Sequence, residues 1–197
     1  WRDQSDRGGD DAALPTTPSL LDPRVTGGSH EGLLVVYSTS KQSNLAGYRA
    51  AFAAGDPELV ATLVNTRKHA GMIVPAPVQH AMAVALADDA HVAEQKDRYR
   101  RRRDALRTAL EASGHTVDHS EAGLYLWARR ADLDPADATA QDSWDLLGEL
   151  ADLGIIAGPG VFYGAGGDGY VRVAITATDE AVARAAARLT ARGPRTG

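Results

Sequence analysis

The stretch Val35-Val36-Tyr37-Ser38-Thr39-Ser40-Lys41-Gln42-Ser43-Asn44-Leu45-Ala46-Gly47-Tyr48-Arg49 decides how the rest of the chain is read. It belongs to an apolar run, Leu33 to Tyr37, rich in β-branched residues, which predicts a buried strand. The run breaks into Ser38-Thr39-Ser40-Lys41, and Gly47 and Arg49 follow. A lysine at the end of a buried strand is unusual, because stripping water from an ammonium is costly unless the amine is used. Desolvation favours the neutral amine, which can attach covalently to a carbonyl. Ser38 and Ser40 can donate hydrogen bonds to an anion, and the planar fork of Arg49 can clamp a phosphate. Together these groups describe a phosphorylated aldehyde held on Lys41, that is, pyridoxal 5'-phosphate.

In register, Ser38-Thr39-Ser40-Lys41 followed by Gly47 and Arg49 resembles the lysine motif of the class I/II aminotransferases, S-x-S-K and then G-x-R-x-G, with the arginine eight positions after the lysine. Ala51 stands where that family has its second glycine, a departure expected only to tighten the backbone there. Within the family, Ser40-Lys41-Gln42-Ser43-Asn44-Leu45-Ala46-Gly47-Tyr48-Arg49 is most similar to the N-succinyldiaminopimelate aminotransferases. A second region supports the likeness. Gly160-Val161-Phe162-Tyr163-Gly164 followed by Tyr170-Val171-Arg172-Val173-Ala174-Ile175-Thr176 matches the family's last strand, whose arginine binds the substrate α-carboxylate. Gly123-Leu124-Tyr125-Leu126-Trp127 resembles a glycine-aromatic strand of its small domain.

Bulk properties are compatible with this reading. The chain has 197 residues, 44% of them hydrophobic, enough for a real core in one domain or two small ones. A formal net charge of −5 argues against nucleic acid as the main partner. There is no cysteine, so disulfides and zinc-cysteine sites are excluded and a cytoplasmic location is expected. Trp1 opens a polar stretch without the apolar centre of a signal peptide, and no apolar run is long enough to span a bilayer. With no initiator methionine the chain reads as a fragment.

Residues 1–32, with Arg7-Gly8-Gly9-Asp10-Asp11, form a polar lead-in expected to be mobile. Residues 33–88 are expected to be the remnant of a large cofactor-binding domain, and residues 89–197 a linking helix with a small C-terminal domain. In the first of these, Tyr48 to Ala54 predicts a second strand. Asp56-Pro57-Glu58 starts a helix whose face is Leu59, Val60, Leu63 and Val64, and Val78 to Ala87 predicts another. Further on, Ala90 to Ala112 reads as a long helix with Val92, Tyr99, Leu106 and Leu110 at helical spacing, ended by Ser113-Gly114. Short strands follow at Val117 to His119 and Leu124 to Trp127. A helix with Trp144, Leu147 and Leu150 on one face comes next, then a strand opening at Ile155-Ile156, and a last helix from Asp179 to Ala191. The resulting class is α/β: the C-terminal part of a fold type I pyridoxal-phosphate-dependent transferase, with a remnant of the large mixed sheet plus an α+β small domain.

Other patterns carry less. Gly164-Ala165-Gly166-Gly167-Asp168-Gly169 satisfies G-x-G-x-x-G, but a strand follows it, so no helix N-terminus is available for a pyrophosphate. The basic run Arg98 and Arg100 to Arg103 reads as the solvated face of a long helix, paired with Glu94, Asp97 and Asp104. His115 and His119 straddle a turn and cannot form a shared-face metal pair, and no metal site is expected. Arg172, mid-strand between valines, either points to solvent or meets a carboxylate.

The resemblance implies transamination between an amino acid, with N-succinyl-LL-2,6-diaminopimelate as the favoured substrate, and 2-oxoglutarate, in lysine and diaminopimelate biosynthesis. Lys41 would carry the cofactor and move the proton, Ser38, Ser40 and Arg49 would hold its phosphate, and Arg172 would bind the carboxylate. It also implies a homodimer, with no nucleic-acid or membrane partner. The likeness runs from about Leu33 to Leu189, only the later part of a family protein. The family places an aspartate for the pyridine nitrogen, a tyrosine, an asparagine and a phosphate loop before the lysine, and no such pattern is found here. This polypeptide alone is therefore expected to have little transaminase activity. The alternatives are an inactive aminotransferase remnant, another aminotransferase, or a carbon–sulfur lyase of the same fold.

Overall fold

The fold is that of a computed structural model, which describes residues 19–120 and 123–194. The predicted mobile stretch around Arg7 to Asp11 lies outside the described residues. The described chain forms two compact units, residues 19–95 and residues 96–194, with the division inside one long helix.

In the first unit a short helix α1 (Pro23–Thr26), capped by Asp22, precedes strand β1 (Leu34–Ser38). One helical turn, α2 (Thr39–Gln42), and a 3-10 turn (Ala46–Tyr48) lead to strand β2 (Ala51–Gly55). The two strands pair antiparallel, with Ser38 opposite Ala51 and Leu34 opposite Gly55. Gly55 has a φ of +147°, and a Cβ there would lie 2.1 Å from the Leu33 carbonyl oxygen, so only glycine closes this end of the ribbon. Asp56 then caps helix α3 (Pro57–His69): its carboxylate accepts from the Glu58 amide at 2.8 Å and from the Gly32 amide at 2.7 Å. Helix α4 (Ala76–Leu86) follows.

The expectation that Leu33 to Tyr37 forms a buried strand is corrected. β1 is formed, but Val36 is 69% exposed and Tyr37 39% exposed. A strand is buried only when both of its faces are covered, and among the described residues β1 has β2 as its one paired neighbour. For the same reason the apolar face of α3 buries none of its residues. The second strand starts at Ala51 rather than at Tyr48, because residues 46–48 turn into a 3-10 helix first.

The second unit has a closed core. Helix α5 (Asp89–Ala112) buries Tyr99, Arg103, Leu106, Ala109 and Leu110. Strands β3 (His115–Asp118), β4 (Tyr125–Arg130), β5 (Gly158–Pro159) and β6 (Tyr170–Ala174) form an antiparallel sheet in the order β3-β4-β6-β5. Helices α6 (Ala140–Asp152) and α7 (Asp179–Arg192) complete it. Alternation along the strands sorts the side chains. Leu126, Ala128, Val171 and Val173 enter the core with Leu106, Leu110, Leu146, Leu150 and Leu189, while Tyr125, Trp127 and Arg172 take the opposite face.

Several sequence expectations shift here. The buried face of α6 is Ser143, Leu146 and Leu150, and Trp144 is 44% exposed, since the 3.6-residue period selects the stripe at i, i+3 and i+7 from Ser143. Ile156 is exposed, and the short strand begins two residues later at Gly158. The basic run is only partly a solvated face. Arg100 and Arg101 pair with Asp97, but Arg102 reaches Asp179, and Arg103 is buried, donating to the Gly123 carbonyl at 2.6 Å. The glycine-rich stretch packs on itself: a Cβ at Gly160 would lie 2.0 Å from the Gly167 oxygen, and one at Gly167 would lie 2.1 Å from the Gly160 oxygen. β6 follows it directly.

Replacing Leu126 by alanine is expected to cost about 2–5 kcal/mol of stability, read from urea unfolding. His115 is buried, with Nδ1 3.2 Å from the Leu110 carbonyl and 3.0 Å from the Ser113 hydroxyl. Burial holds its pKa below the usual 6.5. The Leu110 carbonyl and Glu149 oppose this, and Arg192 and Arg130 add to it. The unfolded chain therefore binds a proton first as pH falls. Stability from this group is present above about pH 6.5 and is lost on acidification towards the lower folded value. His115→Asn should flatten the unfolding midpoint over that acidic window; equal slopes in both proteins would refute the linkage.

Candidate functional site

In the first unit the sequence motif folds into two turns brought together by the β1–β2 ladder. Ser38 ends β1 and caps α2: its Oγ accepts from the Ser40 amide at 3.1 Å. The same hydroxyl lies 2.8 Å from Ser40 Oγ and 3.2 Å from the Ala50 carbonyl. Thr39 is buried, and its Oγ1 has no hydrogen-bond partner among the described residues. Lys41 sits in the helical turn, not at a strand end, and its side chain is exposed. The expectation of a buried lysine is thereby corrected. Ser38 caps a helical turn at this point, so the chain leaves the ribbon before Lys41 and carries it outward.

Arg49 closes the second turn in left-handed backbone, φ +51° and ψ +41°, a conformation few non-glycine residues adopt. Its guanidinium donates to the Ala46 carbonyl at 3.3 Å. Asn44 is also left-handed, at φ +54°. Local strain of this kind clusters at ligand clamps. Ala51, the departure from the expected glycine, starts β2 opposite Ser38 with its methyl exposed, so the substitution meets no obstacle. Ser38, at the end of β1, pairs with Ala51 and so closes the loop that carries Ser40, Lys41 and Arg49. Among the described residues Ser38 and Ser40 are joined directly, while the Arg49 guanidinium bonds within its own turn.

In the second unit Arg172 lies on the outer face of the sheet, opposite Trp127 on one side and Gly158 on the other. It is half-buried, and no hydrogen bond or ion pair engages its guanidinium among the described residues. Its Cζ is instead 4.0 Å from the ring centre of Tyr125 and 4.9 Å from that of Tyr163. Trp127 stacks on Tyr170 at 5.1 Å and meets Tyr163 edge-on at 5.7 Å. Below them Asp118 binds Arg129 at 2.9 Å and accepts from the Tyr170 hydroxyl at 3.0 Å. Burial works against the Asp118 charge, but Arg129 and Tyr170 outweigh it and lower its pKa. Burial first, and then Asp118, raise that of Tyr170. Sequence reasoning does not single out the aromatic residues as neighbours of Arg172. The period-two alternation of Tyr125 and Trp127 is the available signal, but which strand lies beside Arg172 is a matter of sheet order.

Among the described residues no helix is long and apolar enough to cross a membrane, and no group of three or more histidine, aspartate or glutamate side chains could hold a metal ion. Asp118→Asn should bring the Tyr170 phenol down towards the ordinary tyrosine value, measured by NMR titration of its ring carbon. An unchanged titration would mean that Asp118 does not govern it.

The profile of the family Aminotransferase class I and II matches residues 8–189. The chain is 59% identical over 172 residues to the 4-dedimethylamino-4-oxo-anhydrotetracycline transaminase OxyQ of Streptomyces rimosus, covering 87% of this chain and 45% of that protein. It is 56% identical over 172 residues to the probable aminotransferase Rv1178 of Mycobacterium tuberculosis, covering 87% of this chain and 39% of that one. Its fold is similar to a probable N-succinyldiaminopimelate aminotransferase from Thermus thermophilus, with a TM-score of 0.66 and 29% identity over 84% of this chain and 43% of that chain. The chain therefore spans less than half the length of these relatives.

Proposed function

Since the chain belongs to the class I and II aminotransferase family, whose members depend on pyridoxal 5'-phosphate, we propose that it supplies the lysine-bearing and carboxylate-binding parts of a transaminase site, acting between an amino acid and a 2-oxo acid such as 2-oxoglutarate. Its mixed helix-and-sheet architecture is that of part of a fold type I enzyme. The observation that carries the proposal is Arg172, a half-buried guanidinium with aromatic neighbours and no carboxylate partner among the described residues.

The residues present fit the cofactor. The paired hydroxyls of Ser38 and Ser40 and the Arg49 guanidinium offer donors to its phosphate, and Lys41 offers the amine for attachment. Bound there, the cofactor would supply an aldehyde to receive the amino group and a conjugated ring to spread the charge left at the substrate Cα. Arg172 takes the substrate carboxylate in a two-point contact, which fixes the direction of the Cα–H bond. Lys41 Nζ accepts the proton from Cα and later returns one, and its exposed position leaves it room to move.

N-succinyl-LL-2,6-diaminopimelate is the substrate reading supported by the Thermus likeness. A second reading, a fused-ring ketone as amino acceptor, is favoured by the aromatic surface of Tyr125, Trp127 and Tyr163 beside Arg172 and by the 59% identity to OxyQ. A homodimer in the cytoplasm is part of the same proposal. It draws on the family and on the absence of cysteine from the chain.

Incubating the chain with pyridoxal 5'-phosphate, reducing with borohydride and mapping peptides by mass should place one adduct on Lys41 and none in Lys41→Ala. Label spread over other lysines, or equal labelling of the variant, would overturn the assignment.

A further inference from the structure

We propose that Tyr125 and Tyr163 are positioning residues for Arg172, holding its guanidinium by aromatic contact so that its N–H edges stay free for a carboxylate. This rests on the reading of Arg172 as a carboxylate site. The two rings come from elements on either side of β6: Tyr125 from β4, and Tyr163 from the 3-10 turn (Gly160–Tyr163) that follows β5. Their centres lie 4.0 and 4.9 Å from Arg172 Cζ. An aromatic face stabilises a cation without consuming any of its donors, whereas a carboxylate partner would neutralise it and occupy the fork. That distinction matters here, because a half-buried guanidinium needs a counterpart for its charge. At Arg172 the counterpart is aromatic, and the donors remain available.

The surroundings keep this arrangement in place. Tyr163 is itself braced edge-on by Trp127, which stacks on the buried Tyr170. Gly158, opposite Arg172 in the sheet, leaves room for the second ring. A Cβ there would lie 3.3 Å from the Tyr163 hydroxyl oxygen and 3.9 Å from Arg172 Nε. A branched residue at Gly158 would press first on Tyr163, the nearest of these side chains. Neither phenol hydroxyl has a hydrogen bond among the described residues, so the rings, not the hydroxyls, carry the role.

The test uses the full chain and the Arg172 side-chain Nε–Hε resonance, read first without ligand and then during titration with 2-oxoglutarate. In the unliganded protein the resonance should be displaced by the two ring currents. Tyr125→Leu and Tyr163→Leu should each return it towards the free-arginine position and weaken 2-oxoglutarate binding about tenfold. Tyr125→Phe and Tyr163→Phe should keep both the displacement and the affinity, and Gly158→Val should behave like Tyr163→Leu. Leucine variants that leave displacement and affinity unchanged, or phenylalanine variants as weak as the leucine ones, would overturn the proposal. If the parent chain and Arg172→Gln take up 2-oxoglutarate equally, the carboxylate reading of Arg172 fails. The unliganded displacement then still decides whether the rings hold the guanidinium.

Discussion

The pairing of Trp127 with Arg172 across β4 and β6 is the constraint on which the second unit depends. In this register Leu126, Ala128, Val171 and Val173 face the helices, and Tyr125, Trp127 and Arg172 face away. A slip of one residue along either strand would drive a guanidinium into the core and expose valines to water. The core therefore protects the outer face: the hydrophobic energy that sets the register also determines which side chains stand beside Arg172. Close backbone approach of Gly160 and Gly167, with the buried Ser143 hydroxyl on the Gly167 carbonyl at 3.1 Å, seats the turn that delivers Tyr163.

The first unit solves a different problem with fewer contacts. Residues 39–50 form a loop closed by the Ser38–Ala51 pair, and the Ser38 hydroxyl reaches the Ala50 carbonyl across it. Closing a short loop restricts the backbone of everything inside it, Ser40, Lys41 and Arg49 included. Left-handed backbone at Asn44 and Arg49 is tolerated because the loop ends are held by the ladder. In the same unit apolar side chains such as Val36, Val64 and Ile73 remain exposed. Their pattern is one of burial, and the two-stranded ribbon provides no second layer for them.

Much of the chain was legible from residue order alone. Asp56-Pro57 and the Ser113-Gly114 stop mark helix boundaries by local chemistry, and the structure has α3 starting at the first and α5 ending at the second. Local chemistry does not determine which face of an element meets the core. Helical period alone could not say whether the stripe through Ser143 or the one through Trp144 would face the core, since both repeat correctly. Apolar composition could not say that β1 would have a single neighbour, nor that Arg103, one of a run of arginines, would be buried against a carbonyl.

By itself the sequence determined the spacing of Ser38, Ser40, Lys41 and Arg49, the strand character of Tyr170 to Ala174, and with them the family, because these are properties of neighbours along the chain. Only the tertiary structure decided that Lys41 stands on an exposed helical turn, and that Tyr125 and Tyr163 bracket Arg172. Burial and ring–cation contact depend on which segments meet in space. Tyr125 and Arg172 are far apart in the chain and become neighbours only when β4 and β6 share a register.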